Sequence, residues 1–113
     1  MLPRIIYLYP LNTQVITVEG LQDVVTLLYL NNAQVTVTLL DQRGNPDLVL
    51  QDIPLGYVPG SNGNYQGTVP DTFNPPAFTG KPLSGYTLQV TAVQAGVEAL
   101  YSISAIIQLR SKQ

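Results

Sequence analysis

The sequence predicts an all-β fold, a sandwich or small barrel of about seven or eight strands. Three observations carry that expectation. Apolar residues recur with a period of two rather than 3.6 over most of the length. Clusters of Gly, Pro, Asn and Asp separate the alternating runs. A length of 113 residues also suits one domain of that class, residues 1–113.

The clearest strands are those with strict alternation. Val35, Val37 and Leu39 face one way and Gln34, Thr36 and Thr38 the other. Tyr86, Leu88, Val90 and Ala92 are set against Thr87, Gln89 and Thr91 in the same manner. Runs 14–18 and 24–30 are rich in Val, Ile, Leu, Thr and Tyr, as half-buried strands require. The predicted strands are 4–9, 14–18, 24–30, 33–41, 47–52, 64–69, 84–94 and 97–110. Turns are expected at 41–46, 59–64 and 81–85, with a hairpin turn at Gly96 between the last two strands. Pro75 and Pro76 exclude a central strand from 70–83, which is expected to be a long crossover.

Composition excludes several kinds of chemistry. The chain has no Cys, no His and no Trp, so thiol nucleophiles, disulfides and Cys- or His-based metal sites are out. Five basic against seven acidic residues leave a net charge of −2, the wrong sign for a nucleic-acid partner. Only 11% of residues are charged, under half of the roughly 25% usual in soluble domains. With a mean hydropathy of +0.16, that scarcity points to surface hidden against partners. The apolar runs are too short for a membrane span or a secretory signal, so a soluble chain without a signal peptide is expected.

Two stretches resemble a known family. The turn Asp41-Gln-Arg-Gly-Asn-Pro46 is similar to the Asp-x-x-Gly-Asn-Pro turn of bacterial immunoglobulin-like domains such as the invasin repeats. The order Gly63-Asn-Tyr65-Gln-Gly67-Thr-Val-Pro70, then Gly85-Tyr86-Thr-Leu88-Gln-Val90, resembles the last half of many immunoglobulin-like and carboxypeptidase-regulatory-like sandwiches. Across residues 24–110 the resemblance implies an immunoglobulin-like Greek-key sandwich of antiparallel strands. Tyr86 would be its tyrosine corner, hydroxyl bonded to nearby backbone, two residues before Leu88. Both Cys and the core Trp of antibody domains are missing. The small signal-less domain also looks like immunoglobulin-like accessory proteins encoded among phage virion genes.

Candidate functional residues are few. Asp41, Asn45 and Asp47 could form a shallow Ca²⁺ site, but so few carboxylates suit a hairpin turn better, with Asx-type bonds and Gly44 at positive φ. Gly60, Gly63 and Gly67 precede a strand rather than a helix, which disfavours a phosphate loop. Tyr57 and Tyr65 with Asn62 and Asn64 have the composition of a binding loop. No pair of acids stands in a catalytic context, and the serines lack a His to activate them. Leu100 and Ile106 interrupt an otherwise polar face of the last strand, which has no internal Lys or Pro to guard its edge. The expectation is therefore a non-catalytic structural or interaction module without cofactor or metal. It would meet a protein partner or a second copy through a strand edge, in a viral or bacterial surface-type assembly. The alternative is a carbohydrate-binding module using the loop tyrosines.

Overall fold

The computed structural model describes residues 5–23 and 25–109. Seven strands follow one another: β1 (Ile5–Leu8), β2 (Gln14–Val18), β3 (Gln34–Leu40), β4 (Ile53–Tyr57), β5 (Tyr65–Val69), β6 (Leu83–Gln94) and β7 (Val97–Ile107). They form one mixed sheet in the order β1-β7-β6-β3-β4-β5-β2, curled until it is nearly barrel-shaped. No helix among the described residues is long and apolar enough to cross a membrane, which says nothing of strands.

The alternating runs form the frame. Val35, Val37 and Leu39 of β3 and Leu88, Val90 and Ala92 of β6 are buried, and the two strands pair antiparallel with Val37 opposite Val90. β6 and β7 make a hairpin with Gln94 opposite Val97. Its two turn residues, Ala95 and Gly96, have φ of 53° and 80°, the type I′ geometry that matches strand twist. β4 then changes partners midway: Ile53, Pro54 and Leu55 pair with β3, Gly56 and Tyr57 with β5. That switch joins β2 and β5 to the rest of the sheet and lets the inner faces enclose one core. Ile16, Val18, Leu55, Tyr65, Val69 and Phe73 meet Val37, Leu39, Leu88, Ile103 and Ile107 there.

Gly67 and Gly63 mark close approaches. A Cβ on Gly67 would stand 2.4 Å from Leu55 Cδ2, and one on Gly63 would stand 2.5 Å from the Leu21 carbonyl oxygen. Residues 70–82 form the irregular connection the prolines require, anchored by buried Phe73, and Leu83 already belongs to β6.

Several expectations need correction. The strands are not all antiparallel, because β1 runs parallel to β7, with Ile5 opposite Ser104 and Leu8 opposite Ile107. In the expected strand 24–30, the described residues 25–30 form a tight loop, not a strand, despite their strand-like composition, and residue 24 lies outside the described residues. The Asp23 carboxylate accepts the N–H groups of Val25 and Thr26 at 2.8 and 3.0 Å, and Leu27 takes a φ of 61°. Only Gln22 and Tyr29 are left bridged. Segment 47–52 is irregular for a similar reason: Asp47 accepts the N–H groups of Val49 and Leu50, 2.9 and 2.8 Å away. The fourth strand lies instead at 53–57, where Pro54 and Gly56 masked the strand signal. Residues 4 and 110, at the ends of the first and last expected strands, lie outside the described residues.

Candidate interaction site

The loop tyrosines are structural. Tyr65 is fully buried; its hydroxyl donates to the Leu30 carbonyl at 2.6 Å and accepts from the Ala33 N–H at 3.0 Å. Tyr57 is half-buried, its ring edge-on to Tyr65 with centroids 5.6 Å apart, and its hydroxyl donates to the Ser61 carbonyl. Asn64 accepts the Gly20 N–H at 2.9 Å; Asn62 is exposed. The tyrosines and Asn64 stitch the connections at one end of the barrel. Two further bonds belong to the same stitching: Asn31 accepts the Gly63 N–H at 2.8 Å and Gln94 the Asn32 N–H at 3.0 Å.

Tyr86 does not act as a corner. It is buried, but no hydrogen bond ties its hydroxyl to backbone among the described residues. Burial, together with the charges of Asp41 and Asp47, raises its pKa above the ordinary value. The neighbouring turn is the Asx-type structure expected. Asp41 accepts the Asn45 and Arg43 N–H groups at 2.9 and 2.8 Å, which hold its pKa below the ordinary carboxylate value, and Gly44 has a φ of 84°. No group of three or more acids among the described residues could hold a metal ion.

The β7 edge differs from its neighbours. β1 covers Ser104–Ile107, so on the side away from β6 the first seven of the eleven β7 residues have no strand partner among the described residues. Leu100 lies on this open stretch and is 54% exposed. Ile106 does not: it is half-buried and stands opposite Tyr7 of β1.

Beside the open edge lies a cavity of about 710 Å³, walled by Asp23, Val25, Thr26 and Leu30 on one side and by Ala92, Gln94, Ala95 and residues 98–100 on the other. Glu98, Ala99 and Leu100 alternate in face yet all line it, so the cavity wraps around the strand edge itself. The Tyr101 hydroxyl, donating to the Gln22 carbonyl, ties the loop to β7. Burial raises the Tyr101 pKa, and the Asp23 charge adds to that. The Thr26 and Val25 N–H groups lower the Asp23 pKa and keep it charged.

The only charged residues lining the cavity, among those described, are Asp23 and Glu98. Val25, Leu27 and Leu28 on the same loop are 85%, 66% and 69% exposed. Sequence reasoning missed this wall because it read the loop as a half-buried strand. The signal was Asp23, whose short carboxylate favours a local turn over a ladder.

No protein-family model matches the sequence, and no curated protein matches it significantly.

Proposed function

We propose that this chain is a non-catalytic interaction module, an immunoglobulin-like sandwich serving a virion- or bacterial-surface-type assembly, and that it holds an extended segment of another protein against the open edge of β7. The observation that carries the reading is the seven-residue stretch of β7 without a strand partner among the described residues, flanked by a cavity with apolar walls and two carboxylates. An exposed strand edge supplies unpaired N–H and C=O groups, and pockets beside it select alternate side chains of an added strand. Proteins usually guard such edges with Lys, Pro or a bulge, and 97–103 contains none of these residues.

The strand order supports the sandwich part. β2 and β5 pair on one side, β1, β7, β6 and β3 on the other, and β4 divides its length between them. That is how two layers of a Greek key can merge into one continuous ladder. The long crossover 70–82 carries the chain from β5 to β6. The carbohydrate alternative loses its support with the burial of Tyr65.

Panning a random peptide library displayed on phage against the purified chain tests the reading. Enriched peptides should alternate apolar residues, and Leu100→Lys should abolish their binding. Failure to enrich any sequence whose binding depends on Leu100 would overturn it.

A further inference from the structure

A second, smaller cavity lies beside the turn that follows β3, at the end of the barrel away from the β6–β7 hairpin. Its volume is about 160 Å³, below the roughly 300–1,000 Å³ of pockets that enclose drug-sized ligands. That is several waters' worth of space at about 30 Å³ each, room for one side chain rather than a peptide segment. Asp41, Asp47 and Tyr86 are among the residues lining it, and no described Lys or Arg is.

Tyr86 singles this cavity out. It is 6% exposed, and its hydroxyl has no hydrogen-bond partner among the described residues. No buried side-chain oxygen or nitrogen among those residues lacks a partner. The Tyr86 oxygen is therefore the part of the residue still accessible, and the cavity is where it emerges. Burial raises its pKa, and the charges of Asp41 and Asp47 add to that, so both carboxylates lie within electrostatic reach of the phenol.

The bonds already made leave a defined set of acceptors. Asp41 Oδ1 accepts the Arg43 and Asn45 N–H groups, and Asp47 Oδ2 accepts those of Val49 and Leu50. Each carboxylate keeps its other oxygen uncommitted among the described residues. With the Tyr86 oxygen, three residues each offer one acceptor, which matches the three N–H donors of an alkylammonium. A guanidinium favours both oxygens of one carboxylate, and neither carboxylate has both free. A calcium ion takes roughly 6–8 oxygens, more than these side chains and Asn45 supply. The other walls, Pro46, Leu48, Pro75 and Pro76, are apolar and suit the methylene stem behind a charged head. Charge alone does not choose this cavity, since Asp23 and Glu98 line the larger one beside β7. The unbonded hydroxyl and the small volume do.

We propose that this cavity binds an unbranched alkylammonium, its head donating one N–H each to Asp41, Asp47 and the Tyr86 hydroxyl oxygen, and its methylenes lying against the prolines and Leu48. Two sources carry that chemistry: a lysine side chain of a partner protein and a free aliphatic amine. The site lies apart from the open edge of β7 and stands without it.

Amide chemical-shift titration of the isotope-labelled chain with n-butylamine and with Nα-acetyl-lysine N-methylamide tests it. Saturable shifts are expected at residues 41–48, 75–76 and 86, with dissociation constants of about a millimolar, as for a fragment of this size. Tyr86→Phe removes a hydroxyl that bonds no described protein group, and Asp47→Asn keeps an oxygen for the Val49 and Leu50 N–H groups. Each should weaken binding about tenfold or more with the spectrum otherwise unchanged. The norleucine counterpart should not bind, and the arginine counterpart should bind more weakly than the lysine one. Tighter binding of the lysine derivative than of butylamine would assign a protein lysine as the ligand. Equal or tighter binding of butylamine would assign a free amine. Absence of saturable shifts at the cavity would overturn the proposal, as would binding that Tyr86→Phe leaves unchanged. Tighter binding there of calcium chloride or of the arginine derivative would overturn it as well.

Discussion

Replacing Tyr65 by Phe tests how the loop end of the barrel is held. The hydroxyl is wholly buried and makes two bonds, to the Leu30 carbonyl at 2.6 Å and from the Ala33 N–H at 3.0 Å. Removing it leaves two backbone groups without partners and saves little desolvation. An unsatisfied buried group costs about 1–3 kcal/mol. Leu30 is buried and Ala33 only half-buried, so water partly rescues the second group and the loss should be about 2–3 kcal/mol. At roughly 4 °C per kcal/mol for a domain of this size, the melting temperature should fall by about 8–12 °C. Tyr86→Phe is the matched control. Its ring is as firmly packed, at 6% exposure, but its hydroxyl has no backbone partner, and the cost should stay under about 0.5 kcal/mol. Both variants are read by urea titration and calorimetry. A Tyr86→Phe loss equal to or larger than that of Tyr65→Phe would refute the assignment of Tyr65 as the residue that anchors the 30–33 turn.

Three further outcomes follow from backbone geometry and charge. Ala95→Asn should stabilise the chain by about 0.5–1 kcal/mol in urea titration, because Asn tolerates the left-handed φ of 53° that Ala resists. Gly63→Ala should cost about 2–4 kcal/mol, or prevent folding, since its Cβ would collide with Leu21 backbone at a φ of 73°. Asp23 and Asp41 both have folded pKa values below the ordinary 3.8. Their contribution to stability is present above the unfolded value and is lost as pH falls through the depressed folded values. The urea midpoint should therefore drop below about pH 4, and Asp23→Asn with Asp41→Asn, which keep the acceptor oxygen, should flatten that acid limb.

Where side-chain alternation was strict, as in 34–40 and 86–93, strand position and buried face were both legible, because one face must meet the core. The hairpin at Gly96 was legible for the same reason, lying between two alternating runs. Composition misled where a single Asp outweighed its neighbours. Asp23 and Asp47 each bind two backbone N–H groups, and a backbone group held that way is unavailable to a ladder. Val25, Leu27 and Leu28 were consequently taken for strand residues when they are exposed on a loop. The converse error hid β4, where Pro54 and Gly56 sit in a strand that changes partner between them and so never needs a full ladder on either side. The role of Tyr65 was beyond sequence reading altogether. Its hydroxyl partners lie thirty-odd residues upstream at Leu30 and Ala33, and no local pattern reveals contacts of that separation.

The two outer strands of the sheet differ in how their edges are met. The described β1 begins opposite Ser104, and before that point β7 has one neighbour, β6, among the described residues. The other outer strand is short, five residues in β2. Near its start the gap to β1 is crossed by the Gln14 amide, which donates to the Tyr7 carbonyl and accepts the Tyr9 N–H at 2.7 and 3.2 Å. Short, side-chain-bridged edges of this kind resist the addition of a foreign strand. The open part of β7 is longer and lacks such a bridge on its backbone among the described residues. What stands beside it instead is a cavity with apolar walls and two carboxylates. Backbone pairing alone would accept any extended chain, whereas the carboxylates repel acidic strands and favour basic ones. If the edge docks a partner strand as proposed, shape and sign together would let it discriminate among the strands it meets.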